Sequence, residues 1–489
     1  MVGTARPVRP PDALSARGRP GSLGRGRVTR TPLALVAGFC VLSVALASPV
    51  RAAAQEGGTV EGAQAPPVDS LTLLDAVRAA LAERPALGIA AAARDAAAAD
   101  RARAASDWWP RLSLDAGLTH FEEPMLVSPL HGFPVDGFDL TSIPDFDRTL
   151  VDATLGARWT VFEGGARLAR NRGAEAGLRA AEAGLEATAD ATIALTAAAF
   201  ADAVAARETL EAHDLRLRAL EAERERVARA LDEGAVPGVD AMRADAALAS
   251  ARADRVAAAA LVDVTTGDLA RLTGIPEDRL DRLAVPSLEL DPETVADSAS
   301  SPAVEEARWQ ARAAGAATDA ARAAWWPEVS TRGAWIERGA GADGDTYSGE
   351  WQIGLRLDWE VFTGGARTAA IARAEAEHVQ AEERLAQVEL DRDAAIDRAR
   401  ADLARTRARS AALADAVAAR TEVARVERLS LDVGAGIQSE WLDAVADLLD
   451  ARAALVRSRA EALVAGVELA RAAGILDLEW LANRLEEAR

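Results

Sequence analysis

Apolar and polar residues alternate with a period of two in two separated parts of the chain. Leu112, Leu114, Ala116 and Leu118 share one face against Arg111, Ser113, Asp115 and Thr119, and Val151, Ala153, Leu155, Ala157, Trp159 and Val161 oppose Asp152, Thr154, Arg158 and Thr160. In the second half Trp351, Ile353, Leu355, Leu357, Trp359 and Val361 face Gln352, Arg356, Asp358 and Glu360, while residues 329–338 alternate less regularly. Period two predicts strands with one apolar face. The pattern gives two β-hairpins, over residues 111–162 and 328–362, with strands of about ten residues, the length that crosses a bilayer when tilted. Residues 122–148, rich in Pro, Gly and Asp, are expected to form a loop.

Elsewhere the period is helical. A helix is expected to begin near Leu71, capped by Ser70 or Thr72, to resume after Pro85 and to run toward Asp107, where Pro110 ends it. Residues 165–231 and 365–431 contain no proline, which predicts helices of about 65 residues and about 100 Å. In the first, Leu210, His213, Leu217, Leu220, Arg224, Val227 and Leu231 step by three and four, a helix-packing stripe. Glycine-containing turns at residues 234–238 and 434–437 precede return helices to about Thr273 and Ala473.

The two halves are copies. Residues 159–167 and 359–367 agree at nearly every position with an offset of 200, and the same offset carries Leu231 to Leu431 and Leu269 to Leu469. Upstream, Trp108, Trp109 and Pro110 match Trp325, Trp326 and Pro327 with an offset of 217, so the first copy holds 17 extra residues before Trp159. A repeat of this length is a structural unit that is stacked or closed on its neighbours. The expected organisation is a signal peptide and extension over 1–54, a polar lead over 55–69, a first repeat over 70–275, a linker over 276–301, a second repeat over 302–476 and a tail over 477–489.

Composition sharpens this picture. Aromatics are 4 % and hydrophobic residues 50 %, dominated by alanine, which favours long helices in close contact over one thick core. Seven arginines in residues 1–32, an apolar run over 33–47 and small residues to Ala54 have the order of a secretory signal peptide. The one cysteine, Cys40, lies in that run and would leave with it, so no disulfide or thiolate ligand is expected. Residues 1–52 carry eight arginines and one acid, so cleavage there lowers the net charge from −20 to about −27. Such a charge argues against nucleic acid as a partner and suits a surface or lumen that favours cations. All basic residues are arginine, a mark of base composition.

Signal peptide, doubled strand hairpin, Phe-x-Gly-Gly junction, long helix, glycine turn and return helix together resemble the outer membrane efflux protein (TolC-like) family over about residues 68–476. The resemblance implies an α+β membrane protein with a long α-helical hairpin barrel. Two β-hairpins per protomer would contribute to a trimeric, 12-stranded outer membrane β-barrel. It implies an exit duct in the outer membrane with a periplasmic helical tunnel. Such a duct serves a tripartite efflux or type I secretion system and has no chemistry or cofactor of its own. The implied partners are two further copies of the chain, a periplasmic adaptor (membrane fusion) protein, an inner-membrane transporter of the RND or ABC type, and outer membrane lipids.

Three sets of residues follow. Trp108, Trp109, Trp159, Trp325, Trp326 and Trp359 sit where strands meet helices, the level of an aromatic girdle. The tips, Gly234, Ala235, Val236 and Pro237 with Gly434, Ala435, Gly436 and Ile437, are implied adaptor contacts. Glu440 and Asp443 share a helix face, and the resemblance makes them acids around a closed periplasmic entrance. Their counterparts are Asp240 and Arg243, which allows a salt bridge between the two copies. Glu221 and Glu223 are read as a solvated face. A periplasmic coiled-coil adaptor or structural protein of an export complex would also be helical and exported, but would not need two amphipathic hairpins flanked by tryptophans. An exported enzyme with an acidic site would not explain the duplication. Gly164–Gly165 and Gly364–Gly365 lack the lysine and spacing of a phosphate loop, and His120, His131, His213 and His378 lack metal-ligand spacing.

Overall fold

A computed structural model describes residues 70–127, 146–284, 286–288, 290, 300–340, 347–433 and 435–487. The expected signal peptide and lead, most of the 122–148 loop, His131, parts of the 276–301 linker and Gly434 lie outside them.

The first helix, α1 (Leu73–Glu83), starts where the Thr72 side chain accepts a hydrogen bond from the Asp75 amide, at 3.2 Å. Pro85 then opens α2 (Pro85–Ser106), at a position where a missing amide costs nothing. Two strands follow, β1 (Arg111–Leu126) and β2 (Phe146–Phe162). They lead into α3 (Ala166–Asp232) and its return helix α4 (Gly238–Thr273). After a 3-10 turn (Glu277–Arg279) and a short β3 (Pro286–Leu288), the series repeats as α5 (Pro302–Ala323), β4 (Glu328–Ala340), β5 (Tyr347–Asp358), α6 (Ala366–Asp432) and α7 (Gln438–Ala472). The chain ends in α8 (Leu478–Arg484) and β6 (Leu485–Glu487). Both long helices have 67 residues, about 100 Å at the usual rise.

The strands form one antiparallel sheet in the order β1-β2-β4-β5. Its register sorts side chains by parity. Leu114 stands opposite Leu155, Leu155 opposite Trp335 and Trp335 opposite Trp351, so one face is apolar across all four strands. On the other face Arg111, Asp115, Asp152, Arg158, Arg332, Arg338, Glu350 and Arg356 take the alternate positions. Leu112, Leu118, Ile353 and Leu355 are each at least 70 % exposed, an apolar surface that water would not tolerate but hydrocarbon would. The weak alternation of β4 has a simple cause. Gly333, Glu337 and Gly339 take apolar-face positions while Ala334 and Ile336 take polar-face ones, and the Trp335 indole donates to Glu337 at 3.4 Å.

The strands depart from expectation in three ways. The strands have 12 to 17 residues rather than ten, and both ends of the 122–148 segment belong to β1 and β2. The last strand stops at Asp358, so Trp359 and Val361 lie outside it. Its counterpart β2 continues to Phe162 because β4 pairs with it there, Trp159 opposite Thr331 and Phe162 opposite Val329. Among the described residues no strand lies beyond β5 to hold the equivalent residues.

At mid-height the helices are tied together by segments without a clear sequence pattern. β3 and β6, from the linker and the tail, pair antiparallel. Leu280 and Leu481 from these segments are wholly buried in a core with Leu73 and Val77 of α1, Phe200 of α3, Leu269 of α4 and Val467 of α7. Each such side chain contributes roughly 1.5–3 kcal/mol by leaving water. α3 includes a window long and apolar enough to cross a membrane by composition, but 61 % of it is buried within the molecule. Helix packing through alanine accounts for that apolarity.

Beside this core, on α3, Asp190 is only 9 % exposed. Burial first, and then the Glu186 carboxylate, push its carboxyl up to about 7, with Asp477 adding to the rise and Arg471 opposing it. The folded state therefore holds a proton that the unfolded chain releases near pH 4. Stability from this group is full below that pH and is lost as pH rises through about 7. Asp190→Asn is expected to flatten this part of the profile and raise the melting temperature at pH 8 relative to the parent. Thermal unfolding at pH 5 and pH 8 checks it, and parallel profiles for the two proteins would refute it.

Candidate functional site

The two strand-to-helix junctions are built alike. Gly164 and Gly165, with φ of 62° and 91°, and Gly364 and Gly365, with 59° and 91°, turn the chain through the left-handed region that suits glycine. The long helices start immediately after. The Trp159 indole donates to the Trp108 carbonyl at 3.1 Å, and the Trp359 indole to that of Trp325 at 3.3 Å. Arg167 donates to the Thr160 carbonyl and stacks 4.6 Å from the Trp108 ring, while Arg367 donates to the Glu360 carbonyl and lies 4.7 Å from that of Trp325. Both arginines are buried, so Arg167 fixes the end of β2, and Arg367 the residues just after β5, to the start of a long helix. The six tryptophans remain 41–74 % exposed at the strand-to-helix junctions. Sequence reading found the tryptophans but gave these arginines no role. Their invariant place at the end of both Gly-Gly-Ala-Arg segments was the available signal.

At the opposite end of the long helices lie the tips. Gly234, at φ 73°, ends α3, and the Ala235 amide bonds back to the Ala230 carbonyl at 2.8 Å. Pro237 caps α4. In the second copy Ala435 and Gly436 both donate to the Ser430 carbonyl, at 2.9 and 3.0 Å. Apolar side chains cluster about these turns: Met242 is 73 % exposed, Val433 70 % and Ile437 63 %. Val236 is half-buried. Met242 and Val433 were not singled out from the sequence, since each stands alone in a polar neighbourhood.

Close by, a cavity of about 700 Å3 opens between α3, α4, α6 and α7. Asp240, Arg243 and Asp443 line it together, whereas Glu440 does not and is exposed. Arg243 pairs with Asp240 at 3.3 Å, three residues back on its own helix, rather than with an acid of the second copy. Residues at that spacing reach one another without ordering a second helix. The cavity also contains an ion pair that sequence reading misassigned. Glu223 is 4 % exposed and accepts two hydrogen bonds from Arg226, at 2.8 and 2.9 Å. Glu221, by contrast, is exposed and 3.6 Å from Arg252, as a solvated face should be. The buried Glu223, with Arg226 reaching out to solvent, sits beside Leu220 and Val227, which alone of the α3 stripe are buried. Arg224 and Leu231 of that stripe are exposed, and Arg224 is ion-paired to Asp245 at 3.0 Å.

The whole arrangement is a sheet with a lipid-compatible face and a polar face, an aromatic level, and helices that carry the polar side about 100 Å away to charged, apolar-edged tips. It is the form of a conduit wall. Comparison with known proteins agrees. The model of the family described as "Outer membrane efflux protein" matches residues 76–275 and 298–475. Protein CyaE of Bordetella pertussis is 29 % identical over 482 residues, covering 91 % of this chain and 96 % of that protein. Among solved structures, the outer membrane protein VceC of Vibrio cholerae is 22 % identical with a TM-score of 0.70, covering 82 % of this chain and 96 % of the other. The CmeC outer membrane channel of Campylobacter jejuni is 16 % identical with a TM-score of 0.71, covering 84 % and 88 %. The chain belongs to the outer membrane efflux protein family, and is an outer membrane efflux protein rather than an enzyme.

Proposed function

We propose that three copies of this chain close into one duct, a 12-stranded barrel continuing into a helical tunnel. The duct receives cargo from an inner-membrane transporter, of the RND or ABC type, through a periplasmic adaptor, for efflux or type I secretion. The observation that carries the reading is an asymmetry between the two repeats. Helix α3 is covered by α2 on one side and by α5 of the other repeat on the second. Its counterpart α6 has α5 beside it, but among the described residues no helix takes the place that α5 holds against α3. Ala169 and Ala176 are buried, whereas the matching Ala369 and Ala376 are exposed. Likewise α5 buries Val304, Ala307 and Ala311 among others, and its counterpart α2 has no buried residue. If α6 of one copy takes α2 of the next, both faces are covered, and repetition of that step closes a ring. The edges of the sheet lead to the same step, because β1 and β5 each have one hydrogen-bonded neighbour and bilayer lipid offers none. Four strands are too few to close a barrel by themselves.

The tips, with Met242, Val433 and Ile437 exposed, are the surface we assign to the adaptor, whose contact would cover these side chains. Glu440 and Asp443 are assigned to the tunnel entrance. Brought together by three-fold symmetry, these carboxylates repel one another and attract cations. Neutralising both as Glu440→Gln and Asp443→Asn is expected to weaken block by divalent cations in planar bilayers. Unchanged block would remove this assignment.

The assembly has a sharper test. A Cβ added to Gly164 would lie 2.5 Å from Cβ of Trp326 and 2.7 Å from the Ala323 carbonyl, whereas one added to Gly364 meets nothing within 4 Å of its own chain. Trp109 matches Trp326, so in the ring the place beside Gly364 belongs to Trp109 of the next copy. Gly364→Ala should leave a folded chain that fails to trimerise, with the trimer band on mild-detergent gels reduced about tenfold or more, as a clash of about 1.4 kcal/mol or more requires. Gly365→Ala, at φ 91° against 59° for Gly364, suffers at least as much backbone strain, but its counterpart Gly165 has no neighbour within 4 Å, so this variant should assemble. Equal assembly of both variants would contradict the reading.

A further inference from the structure

The polar face of the sheet is unevenly charged. Arg111 stands directly opposite Arg158, and Arg158 directly opposite Arg332. On β5, Arg356 is the partner of Ser330, one step diagonal from Arg332, whose own partner is Gly354. Each of the four strands thus places one guanidinium on the same face at nearly the same level. Arg111 opens β1, so this level adjoins the tryptophan-bearing junctions.

Like charges directly opposite on neighbouring strands destabilise a sheet, and such a row survives best where anions offset it. The chain itself supplies few. Asp107 holds Arg111 at 2.7 Å, and Asp358 holds Arg356 at 2.7 and 2.8 Å. Arg158 and Arg332, the two in the centre, are exposed and have no hydrogen bond or ion pair among the described residues, and Asp358, already bonded to Arg356, attracts them only from beyond contact distance. Six residues further along β4 from Arg332 the charges are balanced: Arg338 pairs with Glu350 at 3.0 Å, opposite Asp152. The unbalanced row is therefore local, in a chain whose overall charge is −20.

We propose that this row is an anion-binding girdle, which engages phosphate, sulfonate or carboxylate groups of cargo as they enter the barrel from the helical tunnel. The inference rests on the duct reading, in which the polar face lines the lumen, and three copies would place a closed ring of guanidinium groups there. Guanidinium presents a planar fork of donors that matches an oxyanion with two bonds at once. A charged ring with low-dielectric walls concentrates the opposite ion. Passing cargo would meet acids at the tips and arginines at the barrel, two filters of opposite sign.

The test uses the full chain in planar bilayers, with inorganic triphosphate as probe. The parent channel should be blocked by triphosphate. Arg158→Gln with Arg332→Gln should raise the half-blocking concentration about tenfold or more, as loss of two charge-assisted contacts implies, and should move the reversal potential in a KCl gradient toward potassium. Arg158→Lys with Arg332→Lys should keep the parent's reversal potential but bind triphosphate more weakly, because the fork is lost. A parent that conducts without block, or a glutamine variant that conducts with the parent's block and potential, would overturn the girdle alone. Absence of any current from parent and variants would overturn the duct reading and the girdle with it.

Discussion

A β-sheet that enters a bilayer must satisfy every backbone amide and carbonyl, because hydrocarbon supplies no partner and each unpaired group costs several kcal/mol. This chain brings four strands with an apolar outer face, and the two outermost, β1 and β5, each end in an open row of such groups. Everything else in the molecule is consistent with that constraint being met by copies of itself. The sheet has one apolar and one polar face, the repeats are nearly equivalent, and the faces left uncovered in one copy match those covered between its own halves. Truncation of β5 at Asp358, where β2 runs on to Phe162, is the same constraint seen locally. A strand persists as far as its neighbour does.

The duplication explains how one set of contacts can do two tasks. Within the chain, α3 receives α5 and Gly164 receives Trp326. Between copies, the same geometry is available to α6 and Gly364. Trp108 with Arg167 and Trp325 with Arg367 then set the angle at which each hairpin leaves its long helix. Rigid junctions of this kind matter because a small error in angle, carried along a helix of about 100 Å, displaces the tips by many ångströms. The mid-height core around Phe200, with α1, α8 and the β3–β6 pair wrapped on it, steadies the helices between these ends.

Much of this was legible in the residues, and the reasons are physical. Period-two alternation revealed β2 and β5, uninterrupted helical sequence revealed α3 and α6, and the repeated Gly-Gly marked the turn because only glycine takes those dihedrals easily. β4 was harder to see, since Glu337 and two glycines occupy its apolar face. The β3–β6 pair was invisible, because three residues show no period and the partners come from opposite ends of the chain. Glu223 looked like its neighbour Glu221, and only the packing of α3 against α4 and α7 separates the buried acid from the solvated one. The arginine row was hidden for a different reason: four residues on four strands become neighbours only through register, and an all-arginine basic complement disguised them. Net charge alone suggested a cation-favouring lumen, whereas the sheet concentrates positive charge at one level.

Closure by self-association is the claim on which the lumen, the two charged levels and the tips all depend. Native mass measurement of the processed protein, extracted from outer membranes in mild detergent, tests it directly. The account predicts a single species of three times the chain mass. A species of one chain mass, stable in detergent with β1 and β5 amides exchanging freely with solvent, would contradict it.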